Sequence, residues 1–144
     1  MLSHISMGDC FMFRKRNIGA VAGMACALLL AWTPNSYANW TGSLSGASPG
    51  YESSRWQDES YSEVRFKNCS GTNYVVVALY EDNALSPDTN HGQKKFTNCF
   101  TGYDAVSAGE WTGLPLDGYY FKLADTNRSF LNVRVFAIDT TKAD

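Results

Sequence analysis

The chain has 144 residues, of which 44% are hydrophobic, 14% aromatic and 18% charged. That length holds one domain, and 12 Lys plus Arg against 14 Asp plus Glu excludes both a basic nucleic-acid binder and an acidic solvating tail. Two histidines and four cysteines are too few for most metal or relay chemistry.

Arg14-Lys15-Arg16 precedes an uncharged run from Ile18 to Trp32, Pro34 breaks that run, and Ser36-Tyr37-Ala38 supplies small residues at both positions a signal peptidase reads. Positive start, apolar middle and small-residue end make a secretory layout. The apolar run is shorter than the roughly 20 residues of a membrane span. The sequence therefore predicts a signal peptide over 1–38, from a start at Met1, Met7 or Met12, and a secreted extracellular product with no membrane association after cleavage. Cys26 does not read as a lipid anchor, because Gly23 stands where a lipobox wants an aliphatic residue. Beyond Ala38 remain one histidine, His91, and two cysteines, Cys69 and Cys99. In an oxidising compartment the two cysteines are expected to form one disulfide.

Residues 39–54 are rich in Gly and Ser, with Pro49 among them, and read as a flexible N-terminal arm. Trp40 and Leu44 nevertheless fall on one side of an extended chain, either to meet a partner or to dock on their own domain. From residue 55 to 144 the pattern is that of strands. Ser62–Cys69 alternates, with Val64 and Phe66 against Glu63, Arg65 and Lys67, as a half-buried antiparallel strand does. Tyr74–Tyr80 is apolar on both faces and β-branched, which predicts a central strand. Residues 84–93 read as a surface loop, 94–100 as a strand, and 105–112 as a weaker one. Leu114–Gly118 reads as a turn into a strand over 119–124, and 130–138 closes the domain. Short strands separated by turn signals predict an all-β fold, a small antiparallel β-sandwich, with a small barrel as the runner-up.

Chemistry is scarce. His91 has no nucleophile motif near it, so no catalytic residue is assigned. One histidine and two paired cysteines make no zinc site, and the acids at 81, 82 and 88 lack a calcium-loop spacing. No metal and no cofactor is expected. Glu59, Glu63, Glu110 and Asp117 could supply a carboxylate pair, which sequence alone cannot place, and the reading is against an enzyme. The surplus is aromatic: Trp40, Tyr51, Trp56, Tyr61, Tyr103, Trp111 and Tyr120 offer large contact area at low entropy cost.

Asp117-Gly118-Tyr119-Tyr120-Phe121 resembles the entry to the penultimate strand of immunoglobulin-like domains, where a tyrosine hydroxyl bonds back to the backbone at a sheet corner. With Ser54-Arg55-Trp56-Gln57-Asp58, Cys69 and Cys99, it also makes the chain similar to small secreted actinobacterial β-proteins. Among these it resembles the adaptor subunit of Streptomyces umbrella toxin particles. That resemblance implies a compact β domain whose N-terminal segment engages another secreted protein, a lectin-like or toxin subunit. The resulting expectation is a non-enzymatic interaction module binding through Trp40, Leu44, Tyr51 and Trp56, with no nucleic acid involved. The alternative is a secreted inhibitor of a hydrolase presenting Trp56 beside Arg55.

Overall fold

The computed structural model describes residues 39–141; the expected signal peptide lies outside the described residues. Six strands are formed: β1 (Trp40–Ala47), β2 (Trp56–Ser70), β3 (Val75–Glu81), β4 (Thr89–Phe96), β5 (Val106–Thr126) and β6 (Leu131–Asp139), with one 3₁₀ turn at Asn98–Phe100. They make a single sheet in the order β1-β6-β2-β5-β3-β4, and every neighbouring pair is antiparallel. The all-β class is as the sequence indicates, and so is the Cys69–Cys99 disulfide.

The sheet is folded over on itself. β2 and β4 are three strands apart, which in a flat sheet would separate them by about 14 Å. Yet the rings of Phe66 and Phe96 meet edge to face at 5.2 Å. Phe121 and Phe136, two strands apart, meet at 5.4 Å. Trp111 on β5 donates its indole N–H to the Gly92 carbonyl on β4 at 3.3 Å. The first half of β5 thus lies with β2, β6 and β1 in one layer, and its second half with β3 and β4 in the other. Val64, Phe66, Val75, Val77, Leu79, Phe96, Phe121, Leu123, Leu131, Val133 and Ile138 fill the space between. In immunoglobulin domains two separately bonded sheets make the layers; here one continuous sheet makes both.

The bend is built at a corner of β5. Pro115 has no N–H to give a ladder and belongs at an irregularity. Gly113 takes φ +68° and, on β2, Ser60, which faces the adjacent Leu114, takes φ +69°; the β2–β5 register slips on both sides of Ser60. Tyr119 then donates its hydroxyl to the Pro115 carbonyl at 2.5 Å. This is the corner bond that the immunoglobulin resemblance implied. Pairing survives through the corner, Asp58 facing Asp117 and Gln57 facing Gly118, so the expected turn at 114–118 is a bend inside one 21-residue strand.

Two further expectations need correcting. Residues 39–54, expected as a flexible arm, contain β1, which pairs with β6 from Trp40↔Ile138 to Ala47↔Leu131. The reason is that β1 is bulged twice, so its inward residues are spaced irregularly and the strand alternation is lost to the eye. Gly46 at φ +64° makes one irregularity. Gly42 is required by contact, since a Cβ there would lie 2.5 Å from Cζ of Phe136. The chain beyond β1 is held as well: Gly50 N–H donates to the Leu123 carbonyl at 2.8 Å and Ser53 N–H to Phe121 at 2.9 Å. The second correction is β4, which takes up residues 89–93 of the segment expected as a loop and ends at Phe96, so the strand expected over 94–100 gives way to the 3₁₀ turn at Asn98–Phe100. Only Phe96 of β4 is buried, so no hydrophobic period marks it. Lys94 and Lys95 charge that edge, a common protection against edge-to-edge pairing.

Because Leu44 is 5% exposed within the core, Leu44→Ala should cost about 2–4 kcal/mol, read as a lower urea midpoint with unchanged slope. An unaltered midpoint would mean that β1 contributes nothing to the fold. Replacing Cys69 and Cys99 together, which opens a loop spanning a sequence separation of 30, should cost about 3–4 kcal/mol in the same assay.

Candidate functional site

Of the four residues expected to meet a partner, Trp40 and Trp56 come together, Tyr51 lies against Phe121, and most turn inward. Trp40 lies edge-on to Phe136 at 5.1 Å and to Trp56 at 6.4 Å. Trp56 is buried and donates its indole N–H to Ser62 Oγ at 3.1 Å. Trp40 and Leu44 do share a face, as the spacing suggested, and that face is the domain's own core. Tyr51 remains at the surface, 37% exposed. A partner cannot reach Leu44 or Trp56 without unfolding the edge of the sheet. Among the surplus aromatics, Tyr61, Trp111 and Tyr120 are buried too, while Tyr103 is 62% exposed.

The loop acids are used internally. Asp88 accepts from the Tyr120 hydroxyl at 2.6 Å and from Asn83 N–H at 3.1 Å; the phenol bond holds its carboxyl below the usual range. His91 meets Glu81 at 2.8 Å. Arg55 stacks on the Tyr120 ring at 4.0 Å and reaches Glu52 and Asp82 at 3.1 and 3.2 Å.

The carboxylates left unplaced by sequence fall into a row. Glu63 on β2 faces Glu110 on β5 and Asp139 on β6. Glu63 is 1% exposed, accepts from the Tyr61 hydroxyl at 2.7 Å and is paired with Arg65, which also approaches Asp139 at 3.8 Å. Burial, and after it the charge of Glu110, push the Tyr61 phenol up to about 12. The three acids stand side by side on one sheet face, whereas a glycosidase sets its pair across a cleft from one another. Glu63 and Asp139 flank Arg65, and Glu110 acts on the Tyr61 hydroxyl.

A different set of residues lines a surface depression. Ser43, Ser45, Asn68, Ser70, Asn132 and Arg134 surround an open groove of about 430 Å³ across β1, β6 and β2, between which the core residues Leu44 and Val133 lie. A smaller depression of about 100 Å³, lined by Lys67, Asn68, Tyr103, Arg134 and Val135, adjoins it. Asn68 and Arg134 border both. The groove exists because two strands slip phase together. On β2, Lys67 and Asn68 lie between the buried Phe66 and Cys69. On β6, Arg134 and Val135 lie between the buried Val133 and Phe136. Asn68 achieves this at φ +54°, a conformation that asparagine tolerates better than most residues.

The disulfide fixes the groove's wall. Cys69 follows Asn68 directly, and its bond to Cys99 anchors the segment that leads to Tyr103. Asn68 N–H donates to the Ala105 carbonyl at 3.3 Å, and Lys67 pairs with Asp104 at 2.8 Å. Tyr103 is thereby set beside Arg134, whose guanidinium lies 4.9 Å from the ring centroid. Sequence reading named Tyr103 among the surplus aromatics and missed the rest. The groove residues are small polar side chains drawn from three distant strands, and no local pattern joins them. The chain matches no protein-family model, no curated protein and no solved structure.

Burial raises Tyr61, Tyr119 and Tyr120 above the free phenol's value. A group raised in the folded state adds stability that is complete below its unfolded pKa of about 10 and is lost as pH climbs toward the folded value. Stability should therefore fall from pH ~10 upward, with part of the phenolate absorbance appearing only on unfolding. Full phenolate absorbance in a still-folded protein would contradict the burial of these three rings.

Proposed function

We propose that the chain is a secreted, non-enzymatic protein-interaction module that engages another extracellular protein through its N-terminal segment, by strand pairing. The supporting observation is the contrast between the two edges of the sheet. β4 carries Lys94 and Lys95, whereas β1 has no charged residue from Trp40 to Ala47 and stands at the end of the strand order. An edge of small, uncharged residues invites addition of a partner strand, where backbone bonds supply affinity. Trp40 and Leu44 support this by holding β1 to the core, not by filling a partner's pocket. The finer reading, an adaptor joining a toxin or lectin-like subunit, rests on the resemblance given above and belongs to the same proposal. The inhibitor alternative has lost its presenting residue, because Trp56 is buried.

The test is capture from the extracellular fluid of the source organism by the full secreted chain. The mature protein should begin at Asn39 by intact mass, and it should co-purify with another secreted protein. Thr41 is exposed on β1; Thr41→Lys gives this edge the protection that β4 has, and should abolish capture while the β-type dichroism spectrum is retained. Undiminished capture by the folded Thr41→Lys variant would show that the edge is not the interaction surface.

A further inference from the structure

The groove beside Asn68 goes beyond the strand-edge reading and does not depend on it. We propose that it is a binding site for carboxylate-bearing saccharides. Two features of its lining and one of the adjoining depression point to a sugar. Its rim consists of hydroxyls and amides from Ser43, Ser45, Ser70, Asn68 and Asn132, groups that exchange hydrogen bonds with a polyol. The apolar residues of its lining, Leu44 and Val133, are turned into the core at 5% and 0% exposure, so it offers none of the deep apolar pockets that anchor a peptide side chain. An exposed aromatic ring, Tyr103, lines the adjoining depression that shares Asn68 and Arg134 with the groove, and offers a surface on which a sugar's C–H face packs.

The charge comes from Arg134. Its exposed guanidinium rests against the Tyr103 ring, and no carboxylate among the described residues is in ion-pair reach of it. The neighbouring cation, Lys67, is by contrast paired with Asp104. Ring contact holds the guanidinium plane and leaves its N–H edges for a ligand, and a planar carboxylate fits that fork with two parallel bonds. The geometry assigns Arg134 to the sugar's carboxylate, Asn68 and the serines to its hydroxyls, and Tyr103 to its apolar face. Asn132 is partly committed already, since its Oδ1 accepts from Gly46 N–H at 2.8 Å; its amide N–H₂ remains for the ligand.

The secreted chain would be applied to a glycan array carrying uronate-containing, sialylated, sulfated and neutral oligosaccharides. The best ligand would then be titrated by calorimetry against the wild type and three variants. Binding to carboxylated glycans in preference to sulfated and neutral ones is expected. Arg134→Ala should lose about tenfold or more in affinity, as removal of a charge-assisted bond pair does; Arg134→Lys should recover part of it, and Tyr103→Ala should also weaken binding. Thr41→Lys, defective in partner capture on the strand-edge reading, should bind the glycan as wild type does, so the two readings fail separately. Silence across all carboxylated glycans, equal binding of sulfated ones, or full affinity in a folded Arg134→Ala variant would each overturn the proposal.

Discussion

Phe66 is where the molecule closes. Its ring meets Phe96 at 5.2 Å, Phe121 at 5.5 Å and Phe136 at 6.4 Å, residues drawn from β4, β5 and β6. A six-stranded sheet that stayed flat would leave one face of each strand in water, and its core positions would bury nothing. Folding the sheet brings four phenylalanines from four strands into one cluster, and aromatic pairs in edge-to-face geometry add about 0.5–1.5 kcal/mol each beyond their buried area. The corner in β5 is the device that permits this. Tyr119 pins it, and the paired backbone on either side keeps the sheet continuous.

From that closure follows the role of the N-terminal segment. Once the layers face one another, Phe136 and Trp56 present a rim that Trp40 covers, Leu44 is buried further along the strand, and β1 becomes the lid of one end of the core. The same placement makes its outer edge the terminal edge of the sheet, and its outer face one bank of the polar groove. One eight-residue strand thus serves the core, the edge and the groove. The disulfide plays a comparable double part, since it crosslinks the core at Cys69 and holds Tyr103 against Arg134 from outside.

Much of the fold was legible in the residues. Val64, Phe66, Tyr119, Phe121, Leu123, Leu131 and Val133 fell on alternating apolar positions, and all are buried; the same alternation would set Val135 and Ala137 inward, but the phase slip after Val133 exposes Val135 and buries Phe136 and Ile138 instead. The disulfide followed from the expected compartment and the count, and the corner tyrosine from its Asp-Gly-Tyr setting. What sequence concealed was structure made without alternation. β1 hides behind two bulges and a composition usual for linkers. β4 hides because nearly every side chain on it faces water. The bend at Leu114–Gly118 carries proline and glycine, the signals of a turn, yet backbone pairing with β2 continues through it. The groove was concealed for a different reason: Ser43, Asn68 and Arg134 are brought together only by the order β1-β6-β2, and no residue type among them announces chemistry. Tyr61 and Glu63 likewise alternate with core residues as surface positions do, yet are buried by their cross-strand neighbours.

Amide hydrogen exchange tests most directly whether β1 is an integral strand of this folded sheet. Along β1, the amides that pair with β6 should exchange with protection comparable to those of Val133 and Phe136, rising and falling with global stability. Exchange of every amide from Trp40 to Ala47 at the rate of an unstructured peptide, with β2 and β6 still protected, would contradict the account and return the segment to a free arm.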